Sequence, residues 1–183
     1  MSQSERGGGA GEQSGHLSRY ARQMVLPQFG AAGQQRLAEA TVLIVGCGAL
    51  GSHQAELAAR AGIGRLLLVD RDVLELHNLQ RQVLFGEAEV AARLPKAVAA
   101  AARLRQINSS VVVEPHVVDL TPANVLGLVG AADLVLDGTD NFETRFLLND
   151  ACVHEAKPWV YGGVLGSDGA VLAVRPGQGP CLR

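Results

Sequence analysis

The sequence has no apolar run approaching the roughly 20 residues that a membrane-spanning helix needs. Its formal net charge is only −2 over 183 residues, so no excess of positive charge would attract nucleic acid or an anionic membrane surface. Its cysteines, Cys47, Cys152 and Cys181, form an odd set without the spacing of a disulfide framework. The first residues contain no apolar segment typical of a signal peptide. We therefore expect a cytoplasmic protein that binds neither membrane nor nucleic acid.

The composition is that of one folded domain with a polar segment at its start. Hydrophobic residues make up 48% of the chain, and 183 residues correspond to about one domain. Residues 1–15 (MSQSERGGGAGEQSG) are rich in glycine and polar side chains, and they lack the apolar surface whose burial would offset the entropy of ordering. We predict a disordered tail over residues 1–15 and one domain over residues 16–183.

Short apolar runs alternate with helical patterns along the rest of the chain. The predicted strands cover residues 41–45, 65–69, 111–115, 133–136, 159–161 and 170–174. The predicted helices cover residues 17–26, 34–40, 50–61, 89–107 and 143–156, and a further helix is expected to start at Thr121 and Pro122. The early strands are almost entirely apolar, as in a mostly parallel sheet covered on both faces. The pattern predicts an α/β fold of the doubly wound type.

A glycine-rich segment follows the first predicted strand. Gly46, Gly48 and Gly51 form the pattern GxGxxG, in which the glycines allow a tight turn, a close approach of backbone to phosphate and close helix packing. Asp70 follows the second predicted strand about 20 residues later, where it can accept hydrogen bonds from a ribose. The pattern predicts a Rossmann-like loop that binds a phosphorylated ribonucleotide. It does not separate NAD from ATP, and tight strand–helix packing without a ligand is the alternative interpretation.

Further polar residues are candidates for a binding site. Asp140 and Asn141 follow the fourth strand, at the sheet edge where open α/β sheets bind ligands. Arg81 and Lys96 follow the second strand, and Arg22 precedes the first. Taken singly, each has a plain structural alternative, because Asp140 and Asn141 can cap the next helix and the cations can simply face solvent.

Several segments of the sequence occur together, in the same order, in one known group of proteins. These segments are RYARQ, VLIVGCGALGS, LLLVDRDVLELHNLQRQVLF, PK, LVLDGTDNFETR and PGQGPC. Together they resemble the ThiF/MoeB/HesA family, the bacterial relatives of ubiquitin-activating enzymes. The match runs from about Leu17 to Cys181, and the combination of NLQRQ with DGTDN is far more specific than the glycine pattern. The resemblance implies an ATP-binding adenylation domain.

The resemblance also implies a role for each candidate residue. The nucleotide loop would be formed by Gly46, Gly48, Ala49 and Gly51. Asp70 would bind the ribose. The phosphates would be contacted by Asn78, Arg81 and Lys96, and Gln80 lies in the same motif as Asn78 and Arg81. Asp72 would assist the ribose or the metal, or would only belong to the loop. Asp140 would bind Mg²⁺ beside Asn141. Arg22 would act as an arginine finger on the ATP of a neighbouring subunit, which implies a homodimer.

The residue types suit the adenylation chemistry that the resemblance implies. A carboxylate must attack the α-phosphorus of ATP, and because both reactants are anionic, positive charge must mask the triphosphate. Arg22, Arg81 and Lys96 are the catalytic candidates for that task, together with Asp140, whose carboxylate oxygens suit Mg²⁺. The implied partner is a ubiquitin-like sulfur-carrier protein of the ThiS or MoaD kind, which ends in Gly-Gly.

The end of the sequence departs from the family pattern. In the family, a PGxxPCxRC segment opens a zinc site of two CxxC pairs, whereas this sequence reads PGQGPCLR and stops at Arg183. Cys181 alone cannot complete the four-ligand site that structural zinc requires. We therefore expect a chain truncated after the adenylation core, with Cys181 as the remnant of an incomplete zinc site and no zinc in this chain.

Three functions remain open at this point. The first is ATP-dependent adenylation of a carrier protein for thiamine or molybdopterin biosynthesis, two pathways that the sequence does not separate. The second is an NAD-binding oxidoreductase, which would use the same glycine loop but would not need the cations and Asp140. The third is a non-catalytic binding module that pairs with a full-length partner.

Residues 161–164 (YGGV) are a candidate groove for the carrier's tail, because two glycines would let the backbone of the tail approach closely.

Overall fold

The structure is a computed structural model that describes residues 18–183, so the predicted tail over residues 1–15 lies outside the described residues. Its principal helices are α1 (Ala21–Met24), α2 (Gly30–Glu39), α3 (Ala49–Ala61), α4 (Glu87–Ala91), α5 (Lys96–Ile107), α6 (Val125–Gly130) and α7 (Phe142–His154), with a 3₁₀ turn at Leu76–Asn78. The strands are β1 (Thr41–Val45), β2 (Arg65–Val69), β3 (Val112–His116), β4 (Leu134–Asp137), β5 (Trp159–Leu165) and β6 (Asp168–Val174).

The strands form one six-stranded sheet in the order β3-β2-β1-β4-β5-β6. The first five strands along the chain pair in parallel, and β5 pairs with β6 in an antiparallel hairpin. The chain runs outward from β1 through β2 and β3 and then returns to the other side of β1 at β4, which makes β1 the point where the strand order reverses. The predicted doubly wound α/β fold with a mostly parallel sheet is confirmed.

The strand boundaries follow the predictions most closely at the centre of the sheet. β1 and β2 match residue for residue, whereas β3 and β4 each lie one residue later than predicted. β5 is longer than predicted, because the strand continues through the two glycines that suggested its end and stops at Leu165. β4 pairs with β5 only at Trp159 and Val160, so the rest of β5 extends past β4 at the carboxyl edge of the sheet.

The predicted single helix over residues 89–107 is wrong, because the chain breaks between α4 and α5. Arg93 has a φ of 51°, a left-handed conformation that interrupts a right-handed helix. Pro95 stands immediately before α5; it lacks a backbone N–H and biases the preceding residue away from helical geometry. The break places Lys96 at the first position of α5, where its backbone N–H donates to the Asp72 carbonyl at 2.8 Å.

The helix predicted to start at Thr121 and Pro122 is present, but it starts later than predicted. α6 begins at Val125, and residues 121–124 form a turn instead. In this turn the Asn124 side-chain oxygen accepts a hydrogen bond from the Thr121 N–H at 2.8 Å. The Thr121 carbonyl accepts from the Val125 N–H at 3.0 Å, so this turn leads directly into α6 and resembles a helix cap.

The sheet carries an apolar core on each face. One core packs α3 and α5 against side chains such as Ile44 and Leu68. The other packs α6, α7 and the end of the chain against side chains such as Leu43 and Leu67, because successive strand residues point to opposite faces. With both faces covered, the loops after β1, β2 and β4 meet at the carboxyl edge of the sheet. Within residues 18–183, no helix is both long enough and apolar enough to cross a membrane.

Candidate functional site

A cavity of about 570 Å³ lies at the carboxyl edge of the sheet. Of the candidates from the sequence, the cavity is lined by Gly46, Gly48, Ala49, Asp70, Asp72, Asn78, Arg81, Lys96, Asp140 and Asn141. These residues come from the segments after β1, β2 and β4 and from the start of α5, which the fold brings together at this edge. A cavity of this size accommodates a ligand as large as a nucleotide.

The loop after β1 contains glycines with two different tasks. Gly46 has a φ of 88°, and a Cβ on Gly51 would stand 1.7 Å from the Gly46 carbonyl oxygen, so these two glycines fix the turn and the packing of α3. A Cβ on Gly48 would meet nothing closer than 3.9 Å. The chain itself therefore does not require glycine at position 48. The open space there lies at the N-terminus of α3, whose first N–H groups have no intrahelical partner and favour an anion.

Gly138 is a structural residue that the sequence analysis gave no role. A Cβ at this position would lie 2.6 Å from the Gly46 carbonyl oxygen and 2.8 Å from the Gly51 Cα. The loop after β4 therefore packs directly against the loop after β1. The sequence shows a glycine in a turn at this position, but it does not show which distant loop that glycine must contact.

Asp70 is held at the cavity by two backbone hydrogen bonds. One carboxylate oxygen accepts from the Cys47 N–H at 2.7 Å and the other from the Asp72 N–H at 2.8 Å. Burial raises the pKa of Asp70 above its usual value, although the two hydrogen bonds and the charge of Lys96 act in the opposite direction. The carboxylate thus lines the cavity from a fixed position, as an acceptor of ribose hydroxyl groups requires.

Two of the cations that line the cavity, Arg81 and Lys96, are candidates from the sequence. Lys96 is only 8% exposed, and its Nζ lies 2.7 Å from Asp72 Oδ2, which makes Asp72 the acidic partner of this lysine. Arg81 is exposed, and its Nη1 donates to the His77 carbonyl at 3.0 Å. A guanidinium carries five N–H donors, so Arg81 keeps donors for an anionic ligand.

The NLQRQ segment, residues 78–82, places its polar side chains in different surroundings. Asn78 is buried, and its side-chain oxygen accepts from the Glu75 N–H at 3.0 Å. Gln80 is exposed and does not line the cavity, whereas Gln82 is buried and does. Gln80 was the candidate from the sequence and Gln82 was not. The turns of this segment decide which side chain faces inward, and a linear motif does not show them.

Asp140 and Asn141 are neighbours with different surroundings. Asn141 caps α7, since its Oδ1 accepts from the Thr144 N–H at 2.8 Å; for this residue the capping alternative is confirmed. Asp140 is exposed at the cavity and makes no hydrogen bond or ion pair with any residue in the range 18–183. A free carboxylate at this position fits Mg²⁺, which prefers hard oxygen ligands and completes its shell with phosphate and water.

A buried ion pair that no sequence motif indicated stands behind the Asp140 loop. Asp137 is fully buried, and its Oδ1 accepts from the Thr139 N–H at 2.8 Å and from the Thr139 hydroxyl at 2.7 Å. Its Oδ2 lies 3.1 Å from Arg145 Nε. Arg145 Nη2 also donates to the carbonyls of Thr139 and Gly162, at 2.7 and 3.0 Å. The pair therefore fastens the loop after β4 to β5.

Arg22 lies at the opposite edge of the sheet from the cavity. The neighbouring Tyr20 hydroxyl accepts from Asn108 Nδ2 at 2.8 Å, and Gln23 Nε2 donates to the Ala61 carbonyl at 2.8 Å. Ala61 ends α3 and Asn108 follows α5, and both helices begin at the cavity edge and run away from it. Arg22 is exposed there and does not line the cavity, so within one chain it is not part of the site.

The cysteines occupy different environments. Cys47 and Cys152 are buried, and burial raises the pKa of both thiols, that of Cys152 to about 12. Both are therefore held in the neutral and unreactive form. Cys181 is half-buried, with its Sγ 3.4 Å from the Arg183 carbonyl oxygen. Across the described part of the chain, no three His, Cys, Asp or Glu side chains are grouped so that they could hold a metal ion.

Known proteins resemble this chain over nearly its whole described length. The sulfur carrier protein ThiS adenylyltransferase of Bacillus subtilis (strain 168) is 47% identical over 164 residues, covering 90% of this chain and 49% of the relative. The adenylyltransferase and sulfurtransferase MOCS3 of Sus scrofa is 52% identical over 167 residues, covering 91% of this chain and 36% of the relative. This chain therefore spans about half the length of these curated relatives or less.

The fold is also that of a solved structure. The crystal structure of E. coli MccB with ATP superposes with a TM-score of 0.81 at 30% identity, covering 90% of this chain and 51% of that chain. A parallel sheet with a glycine loop after β1 and an aspartate after β2 defines a nucleotide-binding α/β domain. The chain belongs to the ThiF family, whose model matches residues 20–183.

Proposed function

We propose that this chain binds MgATP in the cavity and adenylates the C-terminal carboxylate of a ubiquitin-like sulfur-carrier protein ending in Gly-Gly. The observation that carries the proposal is the convergence of the glycine loop, Asp70, two cations and the free Asp140 on one cavity. A nicotinamide oxidoreductase would use the loop and Asp70 but would not need the other three. The curated relatives named above are adenylyltransferases, and MccB was solved with ATP, which adds support.

In this proposal the triphosphate lies over the N-terminus of α3, and the ribose hydroxyls donate to Asp70. Arg81 and Lys96 would then border the phosphates. Because Lys96 Nζ is paired with Asp72 in the free chain, at 2.7 Å, the triphosphate would compete with that carboxylate for the ammonium group. Asp140 would hold Mg²⁺ together with phosphate oxygens, and the bound ion would neutralise part of the triphosphate charge.

The reaction transfers an adenylyl group to the carrier. A carboxylate oxygen of the carrier's last glycine forms a bond to the α-phosphorus of ATP. The bond from that phosphorus to the oxygen leading to the β-phosphorus breaks, and pyrophosphate leaves with the electron pair. Both reactants are anionic, so fixed positive charge from Arg81 and Lys96 would stabilise the charge that develops on the pyrophosphate.

The carrier's tail would enter along the part of β5 that extends past β4. Val164 of this segment lines the cavity, and Gly162 and Gly163 are buried beside it. A Cβ on Gly163 would stand 2.3 Å from the Tyr161 hydroxyl, so Gly163→Val would displace the tyrosine ring. We expect Gly163→Val to lower carrier-dependent pyrophosphate exchange without lowering MgATP affinity. Unchanged exchange in this variant would remove residues 161–164 from the proposal.

Arg22 would contribute to the site of a second subunit, because it lies far from the cavity of its own chain. Arg22→Ala and Asp140→Ala would then each inactivate a homodimer. If Arg22 acts across the interface, mixing the two variants restores activity, since a heterodimer has one site with both residues intact. Mixed variants that remain as inactive as each alone would show that Arg22 does not act in this way.

The direct test of ATP binding is calorimetric titration with MgATP and with NAD. We expect the unaltered chain to bind MgATP and not NAD, and Asp140→Ala to weaken MgATP binding about tenfold or more, because a metal ligand is lost. Glu143→Ala is the matched control, since Glu143 is an exposed acidic residue near Asp140 that does not line the cavity. NAD binding without MgATP binding would contradict the proposal and favour an oxidoreductase.

Pyrophosphate exchange then separates an enzyme from a binding module. Exchange that depends on a Gly-Gly carrier supports adenylation, and comparison of ThiS-type with MoaD-type carriers indicates whether thiamine or molybdopterin biosynthesis is served. MgATP binding without exchange for any such carrier would favour the non-catalytic module.

A further inference from the structure

Gln82 has a buried side chain whose amide makes no hydrogen bond within the described part of the chain. The residue is 2% exposed, and its Oε1 is buried with no partner among residues 18–183. Its Nε2 also makes no hydrogen bond to any residue of that range. A buried polar atom without a partner costs folding free energy. The unpaired Nε2 leaves two N–H donors for an acceptor supplied by a ligand.

The amide lies at the part of the cavity best suited to an anion. Gln82 lines the cavity, and its Nε2 lies 3.9 Å from the position that a Cβ on Gly48 would take. Gly48 is the N-cap residue of α3, a helix of 13 residues whose N-terminus attracts negative charge. Arg81 and Lys96 line the same cavity. An amide N–H₂ in these surroundings has phosphate oxygens as its natural acceptors.

We infer that Gln82 binds a phosphate oxygen of the nucleotide through its side-chain amide and thereby distinguishes phosphorylated adenosine from adenosine itself. The inference rests on the proposed function for the identity of the ligand. The neutral amide of Gln82 would give the phosphate a directed hydrogen bond, whereas Arg81 and Lys96 would give it positive charge. The role belongs to Gln82 and not to Gln80, because Gln80 is exposed outside the cavity.

The test compares two Gln82 variants against two ligands. Gln82→Met keeps the length of the side chain and removes the donor, and Gln82→Glu keeps the shape and adds a negative charge. We expect the affinity for MgATP, measured by calorimetry, to fall about tenfold in the methionine variant and about 30-fold in the glutamate variant. The affinity for adenosine, measured by NMR titration, should stay within about twofold in both, because adenosine has no phosphate to lose.

Two further variants separate this role from a general effect. Gln28→Glu adds the same charge at an exposed residue that does not line the cavity, and it should leave MgATP affinity unchanged. Gln80→Glu tests the other glutamine of the motif, and a larger loss there than in Gln82→Glu would overturn the inference.

Two outcomes for the Gln82 variants would also overturn the inference. Unchanged MgATP affinity in both would show that the amide makes no phosphate contact, while the proposed function would stand. An equal loss for MgATP and adenosine would show that Gln82 only supports the fold of the cavity. If the unaltered chain binds neither ligand, the proposed function fails first and this inference fails with it.

Discussion

Asp70 and Asp137 stand at the ends of the two strands that flank β1, and the glycine loop lies between them. Asp70 follows β2, lines the cavity and accepts hydrogen bonds from the backbone N–H groups of Cys47 and Asp72. Asp137 ends β4, is fully buried and is paired with Arg145. The same residue type at equivalent places thus has two uses, since one carboxylate faces the cavity and the other helps to fasten the loop after β4 to β5.

The comparison predicts that stability and ligand binding depend on different aspartates. A charge removed from a buried pair leaves its partner buried and uncompensated. A carboxylate that is only partly buried, and whose partners are backbone N–H groups, leaves no unpaired charge behind. Mutations at the β4 end should therefore act mainly on folding, and mutations at the β2 end mainly on the nucleotide.

The largest effect is expected from Asp137→Asn. The substitution leaves the buried guanidinium of Arg145 without a counter-charge, and it should lower the free energy of unfolding by about 3 to 5 kcal/mol. Asp70→Asn is the matched control and should change it by about 1 kcal/mol or less. Urea denaturation of both variants measures the two values. Equal losses would show that the two carboxylates do not differ as their surroundings indicate.

The next largest effect is expected at Gly138, and Gly48 is its comparison. Gly138 lies in the loop after β4, and Gly48 lies in the loop after β1. Gly138→Ala should lower the free energy of unfolding by about 2 kcal/mol, because its Cβ would stand 2.6 Å from the Gly46 carbonyl oxygen. Gly48→Ala should lower it by only about 1 kcal/mol, the loss expected when alanine replaces a better N-cap residue, because the new Cβ would have room.

The order of the two glycines should reverse for MgATP affinity, with the larger loss at Gly48. Gly48→Ala places a methyl group at the N-terminus of α3, where the phosphates are proposed to lie, and should lower MgATP affinity about tenfold or more. Thermal unfolding and calorimetric titration of each variant give both quantities. Undiminished MgATP affinity in a well-folded Gly48→Ala chain would place the phosphates elsewhere.

A smaller effect on binding is expected from Asp70→Asn. The loss of charged hydrogen bonds to the ribose should lower MgATP affinity about tenfold, with the fold intact. Asp168→Asn is the control, because Asp168 is an exposed residue of the β5–β6 hairpin outside the cavity. Calorimetric titration at one salt concentration measures the MgATP affinity of both variants. If both variants lose affinity alike, the effect is one of net charge and not of ribose binding.

The sequence predicts the central fold well because its signals there are local. β1 and β2 are apolar runs that stop at Gly46 and Asp70, so both ends of each strand are visible in the sequence. The break between α4 and α5 is less visible, since an alanine-rich stretch looks continuous and only Pro95 interrupts it. At Thr121 the sequence signal marks the turn that leads into α6, and the regular helix begins only at Val125.

Some features of the candidate site could likewise be predicted from the sequence, and others could not. The cavity positions of Gly46, Asp70 and Asp140 could be predicted, because each follows the end of a strand. The position of Lys96 at the start of α5 depends on the chain break before Pro95, which the predicted helix over residues 89–107 did not contain. The contact of Gly138 with the β1 loop and the hydrogen bond of Arg145 to β5 could not, because they join segments far apart in the chain. Which of Gln80 and Gln82 faces the cavity depends on the local turn geometry.

The smallest expected effect is the pH dependence of the stability that Asp70 contributes. Burial raises the pKa of Asp70 in the folded chain above the usual value of 3.8, so the folded chain binds this proton more tightly than the unfolded chain does. The contribution to the free energy of unfolding is therefore fully present below pH 3.8 and is lost as the pH rises through the raised pKa.

Asp70→Asn removes this titration and so isolates it. The difference in free energy of unfolding, unaltered chain minus variant, should fall with rising pH across that window and stay constant above it. Urea denaturation at a series of pH values measures the difference directly. A difference that instead grows with pH would mean that the hydrogen bonds from Cys47 and Asp72 outweigh burial. Asp70 would then be a stabilising carboxylate like Asp137, and the contrast between the two strand ends would be lost.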